Sequence, residues 1–415
     1  MNPKEILGGK KMQATKMRYI IGCMVTSLIA SIAGSASAQS IEFFQTKPEA
    51  VVMMNALIAD FEAEYPDIHV TQVQTPEPDT VLRSRIVRGN LPDLIALGGD
   101  RTFADLAEAG VLMELSDTPL LDSIQPTYLE MLNDLHGEDG QYGIPYTANA
   151  NTVLYNTEIF AENGWSVPTT WTEFIALAED AKSKGVTPLY LTFLDQWTTM
   201  IPFNAIAANI QPAGFIAARR AGDSTFASAY ASLPEKMSAL LTYGQNDIFG
   251  RSYDDGNRAM AQGEAAMLLQ GPWAIPAIRS FNPNAPMGTF AFPVTDDANA
   301  NKLVSGVDTV LAISRQTPNV KAARSFIEFL LRPENAVRFI DDQKQFSAIE
   351  GVIQKDPIFS SLIPFFEQGR ITSFPDHYFP AGMQVDTLVQ EFLLDPVGVD
   401  LLARLDKEWD LVAAR

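Results

Sequence analysis

Cysteine is almost absent from this sequence: the only one among 415 residues is Cys23. The chain beyond it therefore has no disulfide and no thiol chemistry. Histidine is nearly as scarce, since His69, His136 and His377 are the only three, and none has a partner at the spacing of a metal site. We therefore expect no bound metal.

The motifs of common catalytic sites are also missing. The sequence has no phosphate-binding P-loop and no G-x-S-x-G nucleophile turn. Acidic residues are abundant, but nothing selects two of them as the carboxylate pair of a glycoside hydrolase. These absences count against an enzyme, and no cofactor is indicated.

Basic residues are few, with 30 Lys and Arg against 50 Asp and Glu. Residues 1–38 hold five basic residues and one acidic residue, so the rest of the chain keeps 25 basic against 49 acidic residues, a net charge of −24. A surface of that sign repels phosphate backbones, which argues against a nucleic-acid partner.

The first 38 residues have the pattern of a cleaved secretory signal. Four basic residues between positions 10 and 18 precede an apolar core over 19–33, and an Ala-x-Ala cleavage site ends at Ala38. The core is too short to span a bilayer, and no later stretch is long enough. Residues 20–23 resemble a lipidation site, but the apolar core follows Cys23 instead of preceding it. We expect a signal peptide over 1–38 and no lipid anchor.

The remaining chain is long enough for two domains, each with its own core. Apolar patterns typical of strands occur at Ile41–Phe44, Ile68–Gln74 and Leu94–Leu97, and helical patterns separate them. Strands alternating with helices favour parallel pairing with right-handed crossovers. The sequence therefore predicts an α/β fold.

The stretch Arg258–Ala277 contains the most informative candidate for function. An apolar run, Ala265–Leu269, is typical of a buried strand, and the Gly271-Pro272 turn after it is followed by helix. Trp273 then lies where a strand ends and a helix begins, which is where open α/β sheets bind small ligands. The alternative is a large core residue without a ligand.

Two further acidic candidates follow strands. Asp100-Arg101 comes after Gly98-Gly99 at the end of the third strand, where a carboxylate beside a guanidinium can bind vicinal hydroxyls. The alternative is a helix N-cap by Asp100 with a solvated Arg101. Asp195 and Trp197 follow the predicted strand over 188–193 and could form a sugar-binding pair, or a turn with a packed tryptophan.

The loop 373–380 brackets Asp376 and His377 with aromatic residues and prolines, a composition that fits the rim of a carbohydrate site or ordinary packing. Trp171 is assigned to structure, because Thr170 and Glu173 around it have the spacing of a helix capping box.

Several of these segments, in this order, resemble a known family. They are FEAEYPDIHV at 61–70, GNLPDLIAL at 89–97, FADLAEAGVL at 103–112, YGIP at 142–145, PTTWTEF at 168–174, GEAAMLLQGPW at 263–273 and TPNVKAARSFIEFLLRPE at 317–334. The chain is similar to the carbohydrate-binding proteins of ABC importers, the family that includes maltose-binding protein, and most of all to its oligosaccharide-binding branch.

The resemblance implies two α/β lobes, each a mostly parallel sheet flanked by helices, joined by chain crossings near 148–152, 304–307 and 345–350. It implies an N-terminal lobe of 39–148 plus 305–348 and a C-terminal lobe of 149–304 plus 349–415. Asn149 and Asn151 fall at the first crossing, where they could instead be strand residues that cap loops. Asp308 follows the second, where Ser305 replaces the family's first glycine.

The expected ligand-binding residues are Gln45, Asp100, Arg101, Asn149, Asn151, Asp195, Trp197, Trp273, Asp308, Asp376 and His377. The resemblance implies a monomeric periplasmic protein that captures an oligosaccharide between its lobes, closes at the hinge and delivers the sugar to a membrane permease without catalysis. Two alternatives stay open: a protein of the same fold for a polyamine or a sugar phosphate, and a secreted glycoside hydrolase.

Overall fold

The computed structural model describes residues 39–136, 139–380 and 382–414. The expected signal peptide over 1–38 lies outside these residues. In the described part of the chain, no helix is both long and apolar enough to cross a membrane.

The strands form two separate sheets. They are β1 (Gln39–Gln45), β2 (Ile68–Val73), β3 (Leu94–Leu97), β4 (Ile144–Ala150), β5 (Thr152–Asn156), β6 (Leu189–Tyr190), β7 (Met267–Gln270), β8 (Met287–Ala291), β9 (Leu303–Ile313), β10 (Phe346–Ser347) and β11 (Ile371–Thr372). The larger sheet has the order β10-β4-β9-β3-β1-β2, with β11 beside β9. The smaller sheet has the order β6-β7-β5-β8.

The helices pack around these sheets. They are α1 (Val51–Glu64), α2 (Pro78–Val87), α3 (Arg101–Glu108), α4 (Pro126–Asn133), α5 (Thr157–Asn163), α6 (Trp171–Ser183), α7 (Met200–Ile210), α8 (Phe215–Ala221), α9 (Phe226–Ala229), α10 (Leu233–Leu241), α11 (Tyr253–Gln262), α12 (Ala274–Phe281), α13 (Val320–Leu331), α14 (Pro333–Gln343), α15 (Ile363–Glu367), α16 (Val385–Leu394) and α17 (Leu401–Ala413). The predicted α/β class is confirmed.

The first three strands pair as their alternation with helices predicts. β1 lies between β2 and β3 and is parallel to both. The larger sheet is nevertheless mixed, because β9 returns antiparallel to β3 and to β4. The smaller sheet is mixed as well, since β5 is antiparallel to β7 and β8 while β6 is parallel to β7. The expectation of mostly parallel sheets missed these returning strands, whose partners are distant in sequence.

Two hydrophobic cores pack against the sheets, and the first includes residues of both sheets. Beside the larger sheet, Phe326 of α13 packs against Phe43 of β1 and Phe61 of α1, with ring centroids 5.6 Å and 5.0 Å apart. In the second core, Phe226 contacts Phe379 and Trp409, which fixes α17. Fully burying one such ring contributes about 1.5–3 kcal/mol.

The chain passes from the larger sheet to the smaller one at a single residue. β4 pairs with β9 in the larger sheet, β5 pairs with β7 in the smaller one, and only Asn151 separates β4 from β5. The first residues of β9 pair with β11. Asn151 falls within the first predicted crossing, near 148–152.

The segment around Trp273 folds as its sequence predicts. Helix α11 ends at Gln262, and Gly263 follows with φ of 71°, the left-handed conformation that glycine adopts without strain. β7 is buried along its whole length, and Trp273 is the N-cap of α12. Pro272 belongs to the turn before that helix.

Candidate ligand-binding site

A cavity of about 450 Å³ lies between residues of the two sheets. The residues lining it are Thr46, Lys47, Pro78, Gly98, Gly99, Asp100, Asn149, Asn151, Trp197, Met200, Ile201, Asn204, Trp273, Gly306, Val307, Asp308, Phe374 and His377. Seven of the eleven expected ligand-binding residues are therefore together, and Gln45, Arg101, Asp195 and Asp376 are not among the lining residues.

Asp100 caps a helix and also lines the cavity. Its Oδ1 accepts a hydrogen bond of 2.8 Å from the Thr102 amide, so it caps α3. Its Oδ2 lies over Gly98, where a Cβ atom would be 2.7 Å from that oxygen. A Cβ at Gly99 would be 2.7 Å from the Val307 carbonyl oxygen. The two glycines thus allow the carboxylate and the neighbouring strand to meet at the cavity wall.

Arg101 is turned away from the cavity. Its Nε donates to Asp105 at 2.8 Å, and its Nη2 forms an ion pair with Glu108. All three residues are on α3, and Arg101 also donates to the Leu135 carbonyl at 3.3 Å. Residues four and seven positions apart share one face of a helix, so α3 holds the guanidinium on its outer side. Of Asp100 and Arg101, which the sequence predicts to bind ligand together, only Asp100 lines the cavity.

Asp308 is already engaged by the protein. Its Oδ2 accepts a 2.6 Å hydrogen bond from Gln345 and pairs with the Lys47 ammonium, and its Oδ1 accepts from the Asn149 amide. We call Lys47, Asn149, Asp308 and Gln345 the carboxylate network. The sequence predicts that Asp308 binds ligand hydroxyls. In the structure, both of its carboxylate oxygens already have donors within the protein.

Lys47 and Gln345 were missed by the sequence analysis. Lys47 comes two residues after β1, and the carboxyl ends of parallel strands carry ligand-binding residues, which was a usable signal. Gln345 immediately precedes β10, and nothing in its sequence marks it. Asn204, which also lines the cavity, is in the middle of α7 and gave no signal either.

Buried amide groups beside the cavity have unused hydrogen-bonding capacity. Asn151 is 2% exposed and donates to the Ile201 carbonyl at 3.1 Å, but its Oδ1 has no partner among the described residues. The same holds for Asn149 Oδ1 and Gln345 Oε1. Gln45 does not line the cavity; its Oε1 accepts from the Lys47 amide at 2.8 Å and its Nε2 is unpaired. These atoms are inaccessible in this conformation, and leaving them buried and unpaired costs free energy.

The wall on the side of the smaller sheet is largely apolar. Trp273 is partly buried and packs against both hydrophobic cores. Trp197 is 41% exposed and its ring centroid lies 5.1 Å from that of Tyr253. Met200 and Ile201, at the start of α7, also line the cavity. Ring faces next to polar groups suit a ligand with both apolar and hydroxyl surfaces.

Asp195 does not join Trp197 at the cavity. Its Oδ2 accepts a 2.7 Å hydrogen bond from the Tyr253 amide at the start of α11. The carboxylate therefore stabilises a helix N-terminus, and only the tryptophan of the expected pair lines the site.

His377 and Asp376 are neighbours with different surroundings. The His377 ring lines the cavity, its Nδ1 lies 3.1 Å from the Gly99 carbonyl oxygen, and it packs 4.9 Å from the Phe374 ring. Asp376 is not a lining residue, its Oδ1 is inaccessible, and it has no partner there among the described residues. Burial raises the pKa of the Asp376 carboxyl above its ordinary value, although the nearby His377 acts to lower it.

No cluster of three or more potential metal-binding side chains occurs in the described ranges. The arrangement is suited to binding, because a carboxylate, three asparagine amides and two tryptophan rings line one cavity.

The comparisons with known proteins agree with a binding role. A profile of the family described as bacterial extracellular solute-binding protein matches residues 49–337. The chain is 30% identical to the multiple sugar-binding protein of Streptococcus mutans over 80% of this chain and 82% of that one.

Solved structures extend the likeness to the whole fold. The ligand-free form of RafE from Streptococcus pneumoniae superimposes with a TM-score of 0.80 at 28% identity, covering 91% of this chain and 98% of that one. RafE in complex with raffinose gives a TM-score of 0.77 at 28% identity, covering 90% and 99%. Because the members of this family bind solutes and do not transform them, the expectation of a non-enzymatic protein is confirmed. The chain belongs to the family of bacterial extracellular solute-binding proteins.

Proposed function

We propose that this protein captures a carbohydrate, and specifically an oligosaccharide, in the cavity between its two sheets. The observation that carries the proposal is the composition of this cavity, whose lining combines Trp273 and Trp197 with Asp100 and the Asn149, Asn151 and Asn204 amides. Sugar rings have apolar faces that stack on aromatic rings, and hydroxyl edges that pair with carboxylates and amides.

The similar proteins support a sugar as the ligand. The Streptococcus mutans relative is named for sugars, and RafE has been solved with raffinose bound. The charges of the site support it as well. Lys47 is paired with Asp308, so no free cation remains among the lining residues to attract a phosphate, and Asp100 is the one lining carboxylate without a cationic partner. A polyamine would require several such carboxylates.

Capture is expected to involve two lobes, formed by residues 39–148 plus 305–348 and 149–304 plus 349–415. The single residue between β4 and β5 supports a hinge at Asn151, since a short crossing lets two packed halves rotate as units. The ligand drives closure only as far as it binds the closed form more tightly.

After capture, the protein is proposed to deliver its sugar to the permease of an ABC importer. We propose that it acts as a monomer in the periplasm, released by cleavage after Ala38. The membership of the chain in an extracellular family supports this location, together with the signal-like composition of residues 1–38.

The test is a titration of the chain beginning at residue 39 with glucose, sucrose, raffinose and longer oligosaccharides, followed by calorimetry and melting temperature. A ligand at 100 times its dissociation constant stabilises the folded state by about 2.7 kcal/mol. We expect saturable binding of at least one oligosaccharide and no release of product on prolonged incubation. Absence of binding across the sugar panel, with binding of spermidine or a sugar phosphate instead, would contradict the proposal.

A further inference from the structure

Gln270 holds the indole of Trp273 by a side-chain hydrogen bond. Trp273 Nε1 donates to Gln270 Oε1 at 3.2 Å, and the Gln270 side chain has no exposed surface. The main chain at Gln270 is fixed in turn, because its backbone carbonyl oxygen accepts a 2.7 Å hydrogen bond from the Thr152 hydroxyl in the adjacent strand. An indole nitrogen can only donate, so it orients the amide of Gln270 with its oxygen towards the ring.

Gly271 leaves the space that the other end of the same ring occupies. A Cβ atom on Gly271 would lie 1.9 Å from Cζ3, 2.2 Å from Cη2 and 2.3 Å from Cε3 of Trp273. The six-membered half of the indole therefore occupies the space that any other side chain at this position would need. A larger residue would force the ring out of its place, because a Cβ atom cannot lie so close to ring carbons.

We infer that Gln270 and Gly271 are positioning residues that fix the orientation of Trp273 before a ligand arrives. The inference rests on the proposed function, in which Trp273 presents a ring face to carbohydrate. A side chain that is already ordered loses little freedom on binding, and immobilising a mobile one costs about 0.5–1.5 kcal/mol. Gln270 itself does not line the cavity, so its effect on affinity passes through the ring.

The first test is a double-mutant cycle on affinity for the oligosaccharide found in the titration. Gln270→Met keeps the length of the side chain and removes the acceptor, and we expect it to weaken binding roughly five- to tenfold. In the Trp273→Phe background, which has no N–H to hold, the same change should have little further effect. Equal losses in the two backgrounds would overturn the inference, because they would show that Gln270 acts on structure generally.

Gln211→Met is the matched control. Gln211 Oε1 also accepts a hydrogen bond from an aromatic side chain, the Tyr230 hydroxyl at 2.9 Å, but neither residue lines the cavity. This variant should leave affinity unchanged while altering stability to a similar extent.

The second test needs no ligand. The chain has five tryptophans, and the indole N–H resonance of Trp273 in a ¹⁵N spectrum is the one lost in Trp273→Phe. We expect Gln270→Met to shift that resonance and to speed its exchange with solvent about fivefold or more, without moving the other indoles. An unchanged Trp273 resonance would overturn the inference. If the wild type binds no carbohydrate, the proposed function fails, while this spectrum still decides whether Gln270 positions the ring.

Discussion

The two walls of the cavity keep their side chains in place by different means. On the wall next to the larger sheet, polar groups hold one another, as in the carboxylate network centred on Asp308. On the wall next to the smaller sheet, Trp273 is held by packing and by one hydrogen bond to Gln270. On our proposal, the polar groups mainly stabilise the protein and orient the ligand, whereas the tryptophan rings contribute most of the contact area.

The largest effect is expected from removing the aromatic wall. Trp273→Ala deletes a large ring face, and truncation of such a contact costs at least about 2 kcal/mol, or about thirtyfold in affinity. Calorimetry with the best oligosaccharide measures it. Trp171→Ala is the matched control, because Trp171 lies at the start of α6, under the Lys236 ammonium at 4.0 Å, and outside the cavity. Equal losses in both variants would contradict the assignment of Trp273.

Breaking the carboxylate network should change the free energy of unfolding more than it changes ligand affinity. Asp308→Asn leaves the Lys47 ammonium without its counter-charge, and removing one partner of a buried pair costs about 3–5 kcal/mol. The Lys47 side chain is 21% exposed, so we expect a smaller loss of about 2 kcal/mol in the free energy of unfolding. Urea denaturation measures it. The double variant Lys47→Met with Asp308→Asn should recover part of the loss, and no recovery would contradict the pairing.

Two substitutions at Asp100 separate its helix-capping role from its proposed role in ligand binding. Asp100→Asn keeps an oxygen that can cap α3 and removes the charge, so affinity should fall about tenfold with little change in stability. Asp100→Ala should lower affinity similarly and also reduce the free energy of unfolding by about 1 kcal/mol. Calorimetry and urea denaturation measure the two quantities. If Asp100→Asn bound sugar like the wild type, the carboxylate would be a helix cap only.

Asp376 predicts a pH dependence of stability. Burial raises the pKa of its carboxyl in the folded protein, so between the ordinary value and the raised one the folded state binds more protons than the unfolded state. Stability from this group is therefore present at low pH and is lost as pH rises through that interval. Asp376→Asn removes the buried charge, so it should be more stable than the wild type at pH 7, by part of the roughly 1–3 kcal/mol cost of desolvating a buried polar group. Urea denaturation at pH 4 and pH 7 would show the difference shrinking at the lower pH; a constant difference would contradict the cause.

The smallest effect is expected from Arg101. Its guanidinium pairs with Asp105 and Glu108 on the outer side of α3, so Arg101→Ala should leave affinity within about twofold and cost at most about 1 kcal/mol in stability. The same calorimetric titration checks this. A large loss of affinity would mean that Arg101 reaches the ligand in another conformation of the protein.

Local sequence was enough to predict the features that depend on neighbouring residues. The capping box at Thr170 and the place of Trp273 between strand and helix follow from side-chain capping and apolar runs. The third strand, Leu94–Leu97, has the bounds that its apolar run predicts.

Contacts between distant residues could not be predicted from local sequence. Nothing in the chain indicates that Asp308 pairs with Lys47, 261 positions away, or that Asp195 receives the Tyr253 amide. The orientation of the Arg101 side chain is likewise set by its contacts with Asp105 and Glu108, which compete with a ligand for the guanidinium. A polar residue at the end of a strand therefore indicates a site, but its partners decide whether it is free to bind.

The measurement that tests the account most directly is a crystal structure of the chain with the tightest-binding oligosaccharide of the panel. We predict a sugar ring on the Trp273 indole, a hydroxyl on the free oxygen of Asp100 and no ligand contact to Arg101. An oligosaccharide bound outside this cavity, or one in the cavity that leaves the Trp273 ring uncovered, would contradict the account.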